Sequence, residues 1–161
     1  MKWGTAINNF KTYLKIERGL SDNSIVSYEN DINKLSNFLL DRNKSISPIK
    51  VSPDIIKEFI YSISNSINPT SQSRIISGLR SFFEYLIFEK YIKTNPLSLI
   101  ESPRISRKLP DTLTIKEIDL LISNINISTN EAERNTALIE TLYGCGLRVS
   151  ELISLKISDL F

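Results

Sequence analysis

The sequence predicts an all-α protein, and three observations carry that expectation. Apolar residues recur at steps of three and four along most of the chain, the spacing that places them on one face of a helix. Proline and glycine number only 6 and 5 among 161 residues, so few points interrupt that spacing. Polar residues that cap helix N-termini stand just ahead of several apolar stripes. No stretch reads as a strand, and no internal repeat or low-complexity tract is present.

Taken in order, Ala6, Ile7, Phe10, Tyr13 and Leu14 mark a first amphipathic helix, which Gly19 breaks. Ser21 is placed to cap a second helix, whose stripe is Ile25, Tyr28, Ile32, Leu35 and Leu39. Its opposite face, Ser24, Ser27, Asp31 and Lys34, is expected to be wet. Asn43 to Pro48 reads as a loop. Ser52, Pro53 and Asp54 read as N-cap, first helical residue and first-turn acid of a third helix, with Ile56, Phe59, Ile60 and Ile63 buried. After the connection SNSINPTSQS a long fourth helix is expected, roughly Ser71 to Lys90. Ile76, Leu79, Phe83 and Leu86 form its core stripe, with Phe82 and Ile87 beside it; Ser73, Arg74, Ser77, Arg80 and Ser81 form a wet stripe. Four helices therefore make a first domain over 1–97.

Residues 98–111 carry Pro103, Pro110, Arg104, Arg107 and Lys108 with little periodicity, an extended basic linker. A second region over 112–161 opens with a capping box, Thr114 and Glu117, ahead of Ile118, Leu121, Ile122 and Ile125. Ser128 and Glu131 repeat that pattern before a sixth helix through Leu138 and Leu142. Gly144 is read as its left-handed stop, and a seventh helix is expected from about Leu147, with Leu152 and Leu155 apolar.

Composition excludes several function classes. The chain has no histidine and one cysteine, Cys145, so a Ser-His-Asp triad and an internal disulfide are ruled out and no metal site is expected. Nothing points to a cofactor. No apolar run is long enough for a membrane span and no signal peptide is visible, so the expectation is a cytoplasmic protein without a membrane partner. The net charge of +2 is unevenly spread. Residues 1–110 hold 16 Lys/Arg against 10 Asp/Glu, a balance of +6; residues 111–161 hold 4 against 8, a balance of −4. A basic first part suits a polyanion, and it also suits ordinary surface scatter.

The stretch YGCGLRVSEL, residues 143–152, sets Arg148 at a helix start, where the positive end of the macrodipole disfavours a cation by roughly a few tenths of a kcal/mol. Glu151, one turn on, suits that end and can hold the guanidinium. An anion such as phosphate between Arg148 and the first N–H groups would account for the arrangement. A plain surface Arg–Glu pair after a glycine turn would also account for it.

GCGLRVSELISLKISDL resembles the motif that carries the first catalytic arginine of tyrosine recombinases, the phage-integrase superfamily. ERGLSDNSIVSYENDINKLSNFL resembles the second-helix region of the core-binding domain of Xer-type members. SRIISGLRSFFEYLIFEKYIKTNPLSLIESPRISRKLPDTLTIKEIDLLI resembles their fourth helix, linker and entry to the catalytic domain. The resemblance runs in the family's order over nearly the whole chain. It implies a four-helix, SAM-like core-binding bundle, a basic linker, and about three helices of a truncated catalytic domain.

Such enzymes exchange strands at specific DNA sites. A tyrosine attacks the scissile phosphate, while arginines, a lysine and histidines or a tryptophan stabilise the developing charge and protonate the leaving oxygen. The resemblance makes Arg148 the first phosphate-binding arginine and Glu151 its support. It sets Ser24, Ser27 and Lys34 on the wet face of the second helix, and Arg74, Ser77 and Arg80 of the fourth, against double-stranded DNA; Tyr28, on the apolar stripe, is expected in the core with its hydroxyl reaching toward phosphate. Arg104, Arg107 and Lys108 would track phosphates along the linker. The lysine hairpin, the His-x-x-Arg motif and the nucleophile of the family have no match here. None of Tyr13, Tyr28, Tyr61, Tyr85, Tyr91 and Tyr143 stands at the nucleophile's place. The chain is therefore expected not to cleave DNA alone, and its partners are DNA and, in the full-length family member, other recombinase protomers. Leu138, Leu142, Leu152, Leu155 and Leu160 are expected to lack part of their covering, leaving 111–161 packed on the first domain, paired with a second copy, or marginally ordered. Two other readings stay open: a stand-alone module that occupies sites without cutting, and a helical protein-interaction domain, against which the basic stripe of the fourth helix argues.

Overall fold

The computed structural model describes residues 1–42, 44–104, 109–125 and 131–159. Among these every regular element is helical, and the chain divides into two compact units, Met1–Arg107 and Lys108–Phe161.

In the first unit, α1 (Trp3–Ile16), α2 (Asp22–Asp41), α3 (Pro53–Ser64) and α4 (Pro69–Phe88) enclose one core. Gly19 adopts φ +60° between α1 and α2, a turn that a side chain would strain. The Ser21 and Ser52 side chains accept from the N–H groups of Ser24 and Ile55, so both expected caps form. α4 begins two residues before the expected Ser71. Asn68 caps it by accepting from the Ser71 N–H at 2.7 Å, with Pro69 at the first helical position.

α4 packs against both α2 and α3, and α1 against α2. Phe10, Phe59, Phe82 and Phe83 are fully buried, each contributing about 1.5–3 kcal/mol by leaving water. Phe10 is the aromatic hub. Phe82 meets it edge-on at 5.4 Å between centroids, and Tyr28 does so at 6.0 Å. Tyr85, outside the expected stripe, is also buried beside Phe10 and Tyr13. Burial, seconded by the nearby Glu89, Tyr91 and Glu17, pushes its hydroxyl up to about 12.

Asp31, expected on the wet face of α2, is instead 2 % exposed. The wide stripe of α2 wraps far enough to turn this carboxylate toward α4, where Arg74 compensates it.

In the second unit α5 (Ile115–Ser123), α6 (Ala132–Cys145) and α7 (Val149–Ser154) are followed by a 3-10 turn at Ile157–Asp159. The Thr114–Glu117 capping box forms: Glu117 N–H donates to the Thr114 hydroxyl at 3.3 Å, and Thr114 N–H donates to the Glu117 carboxylate at 2.7 Å. Ser128 lies outside the described residues. α6 starts at Ala132 with no side-chain cap on the flanking Glu131. The left-handed stop is Gly146, at φ 62° and ψ 28°, and not Gly144, which remains inside α6. Among the described residues of this unit only Ile118 and Ala132 are buried; Leu121, Leu138 and Leu155 stay exposed. Leu160 lies outside the described residues.

Candidate nucleic-acid interface

α2 and α4 leave a cleft of about 240 Å³ between them, lined by Ser24, Ser27, Tyr28, Asp31, Arg74, Ser77 and Gly78. Five residues that the family resemblance sets at DNA thus meet in one concavity. A second hollow of about 470 Å³ shares Ser27 and Arg74 with it and adds Asn30, Asn33, Lys34 and Asn37. The asparagines are not among the residues that the resemblance sets at DNA. Their signal was there: 30, 33 and 37 follow the three-and-four step on the polar side of α2.

The local chemistry of each group is set by its helix. Ser24 lies in the first turn of α2, its hydroxyl 3.0 Å from that of Ser21. Ser27 donates its hydroxyl proton to the Asn23 carbonyl at 2.9 Å, one turn back, which leaves its oxygen to accept or to rotate toward a ligand. Tyr28 is half-buried, its ring braced by Phe10, so the core holds it in place at the cleft wall. Ser77 and Lys34 are exposed.

Arg74 reaches back to Asp31. Its Nη1 donates to Oδ2 at 2.8 Å and its Nη2 to Oδ1 at 2.7 Å. Burial pushes the Asp31 carboxyl above its ordinary value, opposed by the charges of Arg74 and Lys34 and by the hydrogen bonds from Arg74. Gly78 lets the carboxylate in: a Cβ there would lie 2.7 Å from Oδ2.

Arg80 stands outside this cleft. Its Nη2 donates to the Ile100 carbonyl at 2.9 Å, while Asn95 Nδ2 donates to the Arg80 carbonyl at 3.1 Å. It ties the segment after α4 back onto the helix. Arg104 is exposed, and Arg107 and Lys108 lie outside the described residues.

In the second unit Arg148 is the N-cap of α7. One Glu151 oxygen accepts from the Arg148 backbone N–H at 2.7 Å and the other from Nη1 at 2.9 Å. One carboxylate thus holds both ends of the residue, yet the side chain remains 82 % exposed with most of its donors in water. α7 spans only 6 residues, so its peptide dipoles sum to little and the guanidinium is the main positive charge at this turn. Among the described residues no cluster of three His, Cys, Asp or Glu could hold a metal, and no helix is long and apolar enough to cross a membrane.

Two family descriptions match this chain: "Phage integrase, N-terminal SAM-like domain" over residues 7–90, and "Phage integrase family" over residues 111–161. Tyrosine recombinase XerD of Oceanobacillus iheyensis is 43% identical over 156 residues, which cover 96% of this chain and 52% of the relative. Tyrosine recombinase XerC of Herpetosiphon aurantiacus is 36% identical, covering 96% and 51%. The chain therefore spans about half the length of the curated relatives it matches. Among solved structures, an integrase from mycobacterium phage Brujita shares the fold, with a TM-score of 0.57 at 15% identity, covering 90% of this chain and 46% of that one.

Proposed function

This chain belongs to the phage integrase family, and on that premise we propose that it is the duplex-gripping part of a site-specific tyrosine recombinase. The observation that carries this reading is the α2–α4 cleft, where Ser24, Ser27, Tyr28, Arg74 and Ser77 face one another. The cleft lies along a DNA backbone. Hydroxyls of Ser24, Ser27 and Ser77 fix the register on phosphates, and Lys34 adds sequence-independent attraction. Arg104, Arg107 and Lys108 add positive charge for phosphates just past the bundle in sequence.

Arg148 takes the scissile phosphate. Its exposed guanidinium offers a fork of donors to the phosphate oxygens, and Glu151 holds it in place before the anion arrives. The family's nucleophile and lysine hairpin have no match among residues 1–161, so the role proposed for these residues is binding the duplex. Its partners are duplex DNA and, in the full-length family member, other recombinase protomers, with the cytoplasm as the compartment.

Fluorescence anisotropy with duplex DNA across a salt series tests the reading. Neutralising roughly four to six phosphates gives a log–log slope of about −4 to −5. An affinity that stays flat with salt contradicts it. A nicked suicide duplex is expected to yield no covalent adduct, and a phosphotyrosyl adduct would refute the assignment of this chain as a binder only.

A further inference from the structure

The cleft between α2 and α4 contains a buried carboxylate whose role the family resemblance does not supply. Asp31 comes from α2, its partner Arg74 from α4, and Gly78, one turn past Arg74, makes the room. The pair is lopsided: the carboxylate is 2 % exposed, whereas the arginine side chain is 50 % exposed and lines both hollows.

A guanidinium has five N–H donors. Asp31 takes one from each terminal nitrogen, so the end-on fork is filled and three donors remain along the two edges. Two consequences follow. Arg74 is fixed in one orientation before any ligand arrives, because both of its terminal nitrogens are held. Its charge is also cancelled nearby, so it adds little to the long-range attraction that any polyphosphate feels. Exposed Lys34 behaves in the opposite way.

We propose that Asp31 is a specificity-determining positioning residue, which holds Arg74 edge-on across the α2–α4 cleft and cancels its charge so that Arg74 reads geometry instead of attracting every phosphate. This rests on the cleft being the duplex-binding surface. A lone arginine at this position would swing freely and strengthen binding to all sequences alike. Held by Asp31, it rewards the duplex whose base edge or phosphate meets a fixed set of donors.

The test uses the full chain, with two probes: the duplex that the wild type enriches most from a randomised pool, and the pool itself. Binding of each is followed by anisotropy at several salt concentrations. Asp31→Asn keeps the shape and removes the charge. It is expected to bind the pool about 3–10-fold more tightly at low salt, with a salt slope steeper by about one. Its preference for the enriched duplex over the pool should fall by about tenfold. Arg74→Lys keeps the charge and cannot fill both carboxylate oxygens with a planar fork; its preference should fall likewise, and it carries the test if Asp31→Asn fails to fold. Preference unchanged in the folded variants, including the case where both affinities drop together, overturns the inference and marks the pair as structural only. A wild type that binds duplex but enriches no sequence overturns it too, leaving the proposed function standing. A wild type that binds no duplex overturns both.

Discussion

Among the described residues the first unit buries eighteen aliphatic or aromatic side chains, from Ala6 to Leu97, whereas the second buries two, Ile118 and Ala132. Helix signals do not explain the gap. The Thr114–Glu117 box of α5 is as complete as the serine caps of α2 and α3. Caps and periodicity decide that a segment is helical; burial depends on how many neighbours share its apolar face. α4 has neighbours on two sides and buries eight residues, while α7 buries none. The candidate site residues follow the same division. Asp31, Arg74 and Tyr28 are braced by the core of the first unit, whereas Arg148 is placed by one local carboxylate.

The largest effect that sharpens this contrast comes from core truncation. Phe82→Ala should cost about 3–5 kcal/mol, because Phe82 is fully buried against Phe10, Phe83 and Trp3. Leu138→Ala, at a residue that stays exposed, should cost about 1 kcal/mol or less. Urea unfolding followed by helical circular dichroism measures both, and equal costs would break the comparison.

Gly78→Ala comes next. Its methyl would press on the Asp31 carboxylate, a strain of about 1–3 kcal/mol against a helix-propensity gain of up to about 1. The net expectation is destabilisation by about 1–2 kcal/mol, together with loss of the Arg74–Asp31 pair in a crystal structure of the variant. Stabilisation would mean that α2 and α4 do not approach as closely as described. The matching change in the second unit, Gly144→Ala, meets nothing within 4 Å and should stabilise α6 by up to about 1 kcal/mol.

The smallest effect is a difference of sign with pH. Burial raises Asp31 above 3.8, so the unfolded chain gives up this proton first; its ionisation therefore lowers stability as pH rises from 3.8 through the folded value. Glu117 is lowered from 4.5 by the Thr114 backbone N–H and hydroxyl. Its contribution is present above 4.5 and is lost as pH falls through the folded value. Carbon-detected titration of the two carboxyls should give midpoints displaced in opposite directions, and displacement in the same direction would remove the contrast.

Much of this was legible in the sequence, for identifiable reasons. The caps at Ser21, Ser52 and Thr114 and the stripes of α1, α2 and α4 are local patterns that form largely as read, whereas on α3 Ile56 and Phe59 are buried and Ile60 and Ile63, expected to join them, are only half-buried at the rim of the core. The burial of Asp31 was not legible, because its compensating arginine lies 43 residues away and the glycine that admits it lies on the same distant helix. The burial of Tyr85 has no clear local signal, because a phenol beside a phenylalanine stripe fits rim and core alike. Gly144 and Gly146 offer the same conformational freedom, and only the point where the hydrogen-bond ladder ends separates them. Arg80 sat on the polar face of α4 by spacing, but the segment that returns to cover it through Ile100 has no periodic signature.

On the proposed reading the α2–α4 cleft is the surface that holds the duplex. The most direct measurement is a backbone NMR titration of the intact chain with its enriched duplex. The expected result is perturbation concentrated at Ser24, Ser27, Lys34 and Ser77, with the exposed face of α3 around Tyr61 unchanged. Perturbation centred on α3, with the cleft residues unmoved, would contradict the account.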